Sequence, residues 1–143
     1  MYISFALFAD AANLSQEGKL NILGVFDAVQ VGELPTVHPR TTLVLRVKAE
    51  AEDAGTHRLG LRWMSPEGDE LWSTEGEINV GAPSDASGEV DFPLIAALDL
   101  PLDDQGEYAM EIELDGESAA EIPLHVRSVA PSFEFSTNGA LPS

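Results

Sequence analysis

Apolar and polar positions alternate with a period of two over most of the chain. Leu43, Leu45 and Val47 fall on one side of residues 41–50, with Arg46 and Lys48 on the other. Leu59, Leu61 and Trp63 oppose Arg58 and Arg62 in the same way, and Trp72, Ile78 and Val80 share a parity within 70–80. The clearest case is 107–114, where Tyr108, Met110, Ile112 and Leu114 alternate with Ala109, Glu111 and Glu113. Period two is the signature of a strand with one face in a core and one in water. Residues 3–9 read as a further strand, with Ile3, Phe5 and Leu7 inward against Ser4 and Ala6, and Phe8 breaking the polar side.

Turn chemistry punctuates these runs. Pro66-Glu67-Gly68-Asp69 predicts a turn, and Asp115-Gly116 predicts a two-residue hairpin into 117–127. Within that last run Ile122, Leu124 and Val126 point inward. Pro123 falls outward and has no N–H to give a ladder, which predicts an edge strand. Residues 81–88 (GAPSDASG) read as a loop.

Alternation fails in two places. Residues 19–31 are apolar on both faces, which predicts one central strand covered on both sides, or one that bends at Gly24. Residues 95–98 (IAAL) lose the pattern after an extended start at Val90, Phe92 and Leu94, and like 11–18 have room for a helical turn.

Seven to eight short strands with turns between them, and no long run at helical period, predict an all-β fold: a two-sheet antiparallel β-sandwich. Asp104-Gln105-Gly106-Glu107-Tyr108 has the spacing of a tyrosine corner, in which the ring hydroxyl bonds back to nearby backbone. Together with Trp63 as a core tryptophan, it points to an immunoglobulin-like layout, with Met110 where such domains often place a cysteine. The expected organisation is one domain over 1–127 and a C-terminal tail over 128–143 that is flexible or docks on a partner.

Composition narrows the function. The chain has 143 residues, 25 acidic and 7 basic, with a net charge of −18 and no cysteine. A hydrophobic content of 44% sets it apart from disordered acidic tails. The charge argues against nucleic acid as a partner, and the missing cysteine excludes disulfide scaffolds and thiolate metal sites. No run approaches the ~18 apolar residues of a membrane span, and MYISFALFAD lacks the basic start of a signal peptide. The expectation is a cytoplasmic protein. The acidity is lopsided, with a net −1 over residues 1–62 and −17 over 63–143.

Three stretches carry a family resemblance. They are FALFADAANLSQEGKLNILGVFDAV (5–29), then Val37-His38-Pro39 with LVLRVKAE (43–50), and GEYAMEIELDGESAAEIPLHV (106–126). The chain resembles a group of small single-domain bacterial proteins classed as a domain of unknown function. The resemblance implies one compact domain and brings no activity, cofactor or catalytic residue.

Candidate chemistry is sparse. His38, His57 and His125 have no metal-ligand spacing, and no serine sits in a nucleophile elbow. Glu111 and Glu113 lie about 7 Å apart on one strand face, a spacing that suits glycosidase carboxylates and equally two solvated residues beside arginines. Asp99, Asp103 and Asp104 cluster before the tyrosine corner as calcium-ligand candidates, and Glu67, Asp69 and Glu70 flank another turn. Trp63 and Trp72 are the candidates for a sugar-stacking platform. Phe133 and Phe135, within the tail segment 132–136, are candidates for docking by strand addition. The reading is a non-catalytic structural or protein-interaction module, an accessory subunit of a larger assembly, with a protein partner and no cofactor. The alternative is a calcium- or carbohydrate-binding β-sandwich.

Overall fold

The computed structural model describes residues 1–83 and 88–129. Nine strands run through these residues: β1 (Tyr2–Leu14), β2 (Leu20–Phe26), β3 (Ala28–Val31), β4 (Thr36–Glu50), β5 (Gly55–Met64), β6 (Glu70–Val80), β7 (Glu89–Leu102), β8 (Gly106–Leu114) and β9 (Glu117–Ser128). A single 3-10 turn, Ala51–Asp53, follows β4. The strands form a four-stranded sheet ordered β2-β1-β4-β7 and a five-stranded sheet ordered β3-β9-β8-β5-β6. This is an all-β, immunoglobulin-like sandwich.

The core lies between the sheets. Phe8, Leu43, Leu45, Val47, Leu100 and Leu102 from the first sheet meet Leu61, Trp63, Tyr108, Met110, Ile112 and Leu124 from the second. Trp63 sits at its centre, stacked on Tyr108 at 5.3 Å and edge-on to Phe8 at 6.1 Å. Its indole N–H donates to the Pro101 carbonyl at 2.9 Å, so one side chain of β5 is tied to the backbone of β7 across the sandwich. The Tyr108 hydroxyl accepts the Asp103 and Asp104 N–H groups at 2.8 and 2.9 Å and donates to the Asp104 carbonyl at 2.7 Å. That closes the turn between β7 and β8. Gly106, in the same turn, has a φ of +139°, and a Cβ there would lie 2.8 Å from the Pro66 ring.

Four expectations are corrected. Residues 19–31 are two strands in different sheets. The chain leaves the four-stranded sheet at Asp27, and β3 pairs in parallel with β9. This crossing raises the strand count to nine among the described residues and makes one pairing parallel. β2 is an edge strand, with Leu23 69% and Val25 60% exposed, where a central strand, covered on both sides or bent at Gly24, was expected; the covered alternative fails, and Gly24 has a positive φ of +71°. β9 is flanked by both β8 and β3, where an edge was expected. Pro123 is tolerated because β3 begins only opposite His125, so no neighbour on that side asks Pro123 for an N–H. Neither 11–18 nor 95–98 forms a helix: residues up to Leu14 belong to β1, a Ser15–Gly18 turn follows, and 95–98 lie within β7.

The first strand also differs from the simple alternation. A bulge between Ile3 and Phe5 shifts the pairing of β1 with β4 by one residue. A one-residue shift exchanges the faces. Ile3, Ala6 and Phe8 therefore point into the core, and Phe5 and Leu7 point outward.

Candidate functional site

The two outer faces of the sandwich differ in kind. On the five-stranded sheet the outward positions are charged and paired. Arg62 lies 3.4, 3.3 and 3.8 Å from Glu70, Glu111 and Glu113, Arg58 lies 3.5 Å from Glu75, and His125 lies 3.3 Å from Glu107. An antiparallel sheet with one face in water normally looks like this.

The outer face of the four-stranded sheet is apolar. Strand register places Leu7, Val44 and Ile95 side by side across β1, β4 and β7. The next row is Val25, Ala9, Thr42 and Ala97, and the row on the other side is Phe5, Arg46 and Pro93. Val44 and Ala9 are fully buried, although they point away from the central core. Leu7, Ile95 and Pro93 remain partly exposed.

The same surface continues onto a projecting arm. β1 pairs with β4 only from Tyr2 to Ala9, and with β2 only from Phe8 to Leu14. The distal half of the β1–β2 hairpin therefore extends past β4 as a two-stranded ribbon. Ala11 and Leu23 are paired on one of its faces, Ala12 with Ile22 and Leu14 with Leu20 on the other. The Asn21 side-chain amide donates to Asn13 at 3.0 Å. Residues 11–14 and 20–26 hold no charged side chain, in a protein of net charge −18. Gly24 bends the ribbon with a φ of +71°, and a Cβ there would run into the Asp10 carboxylate.

Charges rim the apolar face. The Arg46 guanidinium lies over the Phe5 ring at 5.2 Å. Lys48 bridges Glu89 at 3.2 Å and Asp91 at 3.1 Å, and those contacts hold its pKa above the usual lysine value. At the other end Asp99 accepts the Arg40 backbone N–H at 2.9 Å.

The chemical candidates do not assemble. Asp99 lies in β7, bonded to Arg40, while Asp103 and Asp104 use their backbone N–H groups on Tyr108. No group of three or more acidic or histidine side chains placed to hold a metal occurs among the described residues. The three histidines have separate partners. His38 Nδ1 meets Thr41 at 2.6 Å, His57 meets Asp115 at 2.6 Å and His125 meets Glu107. Trp63 and Trp72 are cross-strand neighbours, but Trp63 is fully buried, so the pair offers no stacking platform. A broad open depression beside β3 and β9 is lined by Gln30, Gln105, Glu107, His125 and Arg127, with no serine, threonine or lysine among the described lining residues. Phe133 and Phe135 lie outside the described residues.

Sequence reasoning missed Leu7, Leu23, Val25 and Ile95 as surface residues. The signal was present where alternation failed. Doubled apolar positions marked strands with a core face and a second apolar face.

The fold and surface describe an immunoglobulin-like β-sandwich with one apolar outer face. The chain belongs to the family of unknown function DUF6941, whose pattern matches residues 4–127. It is similar to an immunoglobulin-like protein from Pseudomonas aeruginosa, known from a 1.50 Å crystal structure, with 13% identity and a TM-score of 0.38. That match covers 88% of this chain and 95% of the other. No curated protein matches the chain. No helix among the described residues is long and apolar enough to cross a membrane.

Proposed function

We propose that the protein is a non-catalytic interaction module that docks on a protein partner through the outer face of its four-stranded sheet and the β1–β2 arm. The observation carrying this is the contrast between the two faces. One is laced with ion pairs, and the other presents Leu7, Ile95, Val25 and Leu23 at its surface. Large apolar side chains held out on an acidic protein, with Leu23 69% and Val25 60% exposed, mark an interaction site. A two-stranded ribbon with apolar side chains on both faces is marginal in water by itself and gains stability when another chain covers it.

Gel filtration of extract from cells that naturally make the protein tests this reading. The chain should elute larger than its own 15.3 kDa. Leu23→Glu and Ile95→Lys should shift it to the monomer position. Elution as a monomer, or a large species untouched by both substitutions, contradicts the reading.

A further inference from the structure

The sandwich is open along part of one side. β1 pairs with β2 only from Phe8 onward, so Tyr2–Leu7 have β4 on one side and, among the described residues, no strand on the other. β9 is bare at the same level, because β3 begins only opposite His125. The cause is the crossing at Asp27. Residues 20–31 close first one sheet and then the other, and each is left with an uncovered stretch of edge. Between the two bare edges runs an apolar groove lined by Ala6, Leu7, Val25, Phe26, Ile122 and Pro123, with Asp27 at its mouth.

A bare edge presents unpaired N–H and C=O groups, and proteins usually guard it with charge or proline. The edges on the opposite side of the sandwich are guarded in this way. β7 carries Asp91, Pro93, Asp99 and Pro101, and β6 carries Glu70, Glu75 and Glu77. Residues 2–7 (YISFAL) hold neither a charge nor a proline. An extended segment laid antiparallel to β1 here would follow on from β2 in the same line. β2 runs towards Asp27, so the added strand, keeping that direction, starts beside Asp27. Its residue opposite Ala6 points between the sheets, as Ala6 does, into the space that this small side chain leaves beside Phe26 and Ile122. The residue before it comes up against the Asp27 carboxylate, which has no cation within ion-pair distance among the described residues. The bulge at Ser4 keeps the ladder short, so the groove contributes to affinity as well as to the choice of side chain.

We infer that this groove takes an extended segment of a partner protein by strand addition. The segment carries a lysine or arginine that meets Asp27, followed directly by an apolar residue that fills the groove opposite Ala6. The net charge of −18 favours a basic segment in the same sense. The site is the edge of the four-stranded sheet and not its outer face, so it stands or falls apart from the docking reading above.

A displayed library of random peptides of about ten residues, the upper length of a common strand, selected on the purified full chain, tests it. Enriched peptides should carry the basic–apolar pair. Their binding should slow amide exchange at Phe5–Leu7 and leave that of the β7 edge unchanged. Asp27→Lys and Pro123→Lys, both at exposed positions, should each weaken the selected peptides at least about tenfold. A library that yields no binder overturns the inference. So do enriched peptides without a basic residue, protection at β7 in place of Phe5–Leu7, or affinities indifferent to both substitutions. If the chain is then still large and Leu23-sensitive in extract, the docking reading stands without this groove. Peptide binding at Phe5–Leu7 by a chain that is monomeric in extract supports the groove and contradicts the docking reading.

Discussion

Tyr108 holds three backbone groups with one hydroxyl. Removing it leaves the Asp103 and Asp104 N–H groups and the Asp104 carbonyl unpaired beside the core. Tyr108→Phe should therefore lower stability by about 1–3 kcal/mol, the cost of leaving buried polar groups unmade. A urea melt that superimposes on that of the native chain contradicts this role. His57 is the other residue with a decisive setting. Its Nε2 faces the Asp53 carbonyl at 2.5 Å and its Nδ1 the Asp115 carboxylate at 2.6 Å. Both are acceptors, so the setting favours the charged ring, in which both nitrogens donate. The Asp53 carbonyl first, and Asp115 second, raise its pKa above the ordinary histidine value. A raised folded-state pKa gives stability that is complete below about pH 6.5 and is lost as pH climbs through the folded value. Asp115 has its pKa lowered, by the Arg58 N–H and then by His57. Its contribution is present above the usual aspartate value and is lost as pH falls through the folded one. Denaturant midpoints from pH 5 to pH 9 should decline on the alkaline side, and His57→Gln should flatten that decline. Midpoints that rise across the same range contradict the assignment.

At the scale of elements, the arm depends on one glycine. The positive φ of Gly24 and the Asp10 carboxylate beside it leave no room for a Cβ. Gly24→Ala should speed amide exchange across 20–26 while the amides of β4 and β8 keep their protection. Unchanged exchange in β2 contradicts that dependence. The strands β5 and β8 were legible in the sequence because each has one apolar and one polar face, β4 from Leu43, Leu45 and Val47 set against Arg46 and Lys48, and the Asp115-Gly116 hairpin from turn chemistry. β1 was misread because nothing in ISFALF announces that Ser4 is a bulge; that is decided by pairing with β4. β7 looked like a broken strand at 95–98 because Ile95 and Ala97 are apolar and yet point outward. The edge position of β2 was hidden for the same reason. Pattern reading assumes that an apolar residue is a core residue, and it fails where a protein keeps a second apolar surface. Pro123 misled differently: it does need an unpaired side, but β9 supplies one over only part of its length.

Across the whole molecule, charge and apolar surface are segregated. The last 81 residues carry a net −17, and the strands β5, β6, β8 and β9 turn their arginines and carboxylates to the same outer face. The four-stranded sheet presents an apolar surface with Arg46 and Lys48 at one end. Net charge of this size keeps the acidic faces of separate molecules apart and favours approach through the uncharged one. Hydroxyl-radical footprinting of the chain, purified and again in extract from cells that naturally make it, reads this segregation directly. The account predicts that Leu7, Leu23 and Ile95 become protected in extract, while Met64 and His125 on the five-stranded sheet keep their reactivity. Protection of Met64 and His125 with no change at Leu7, Leu23 and Ile95 would contradict it.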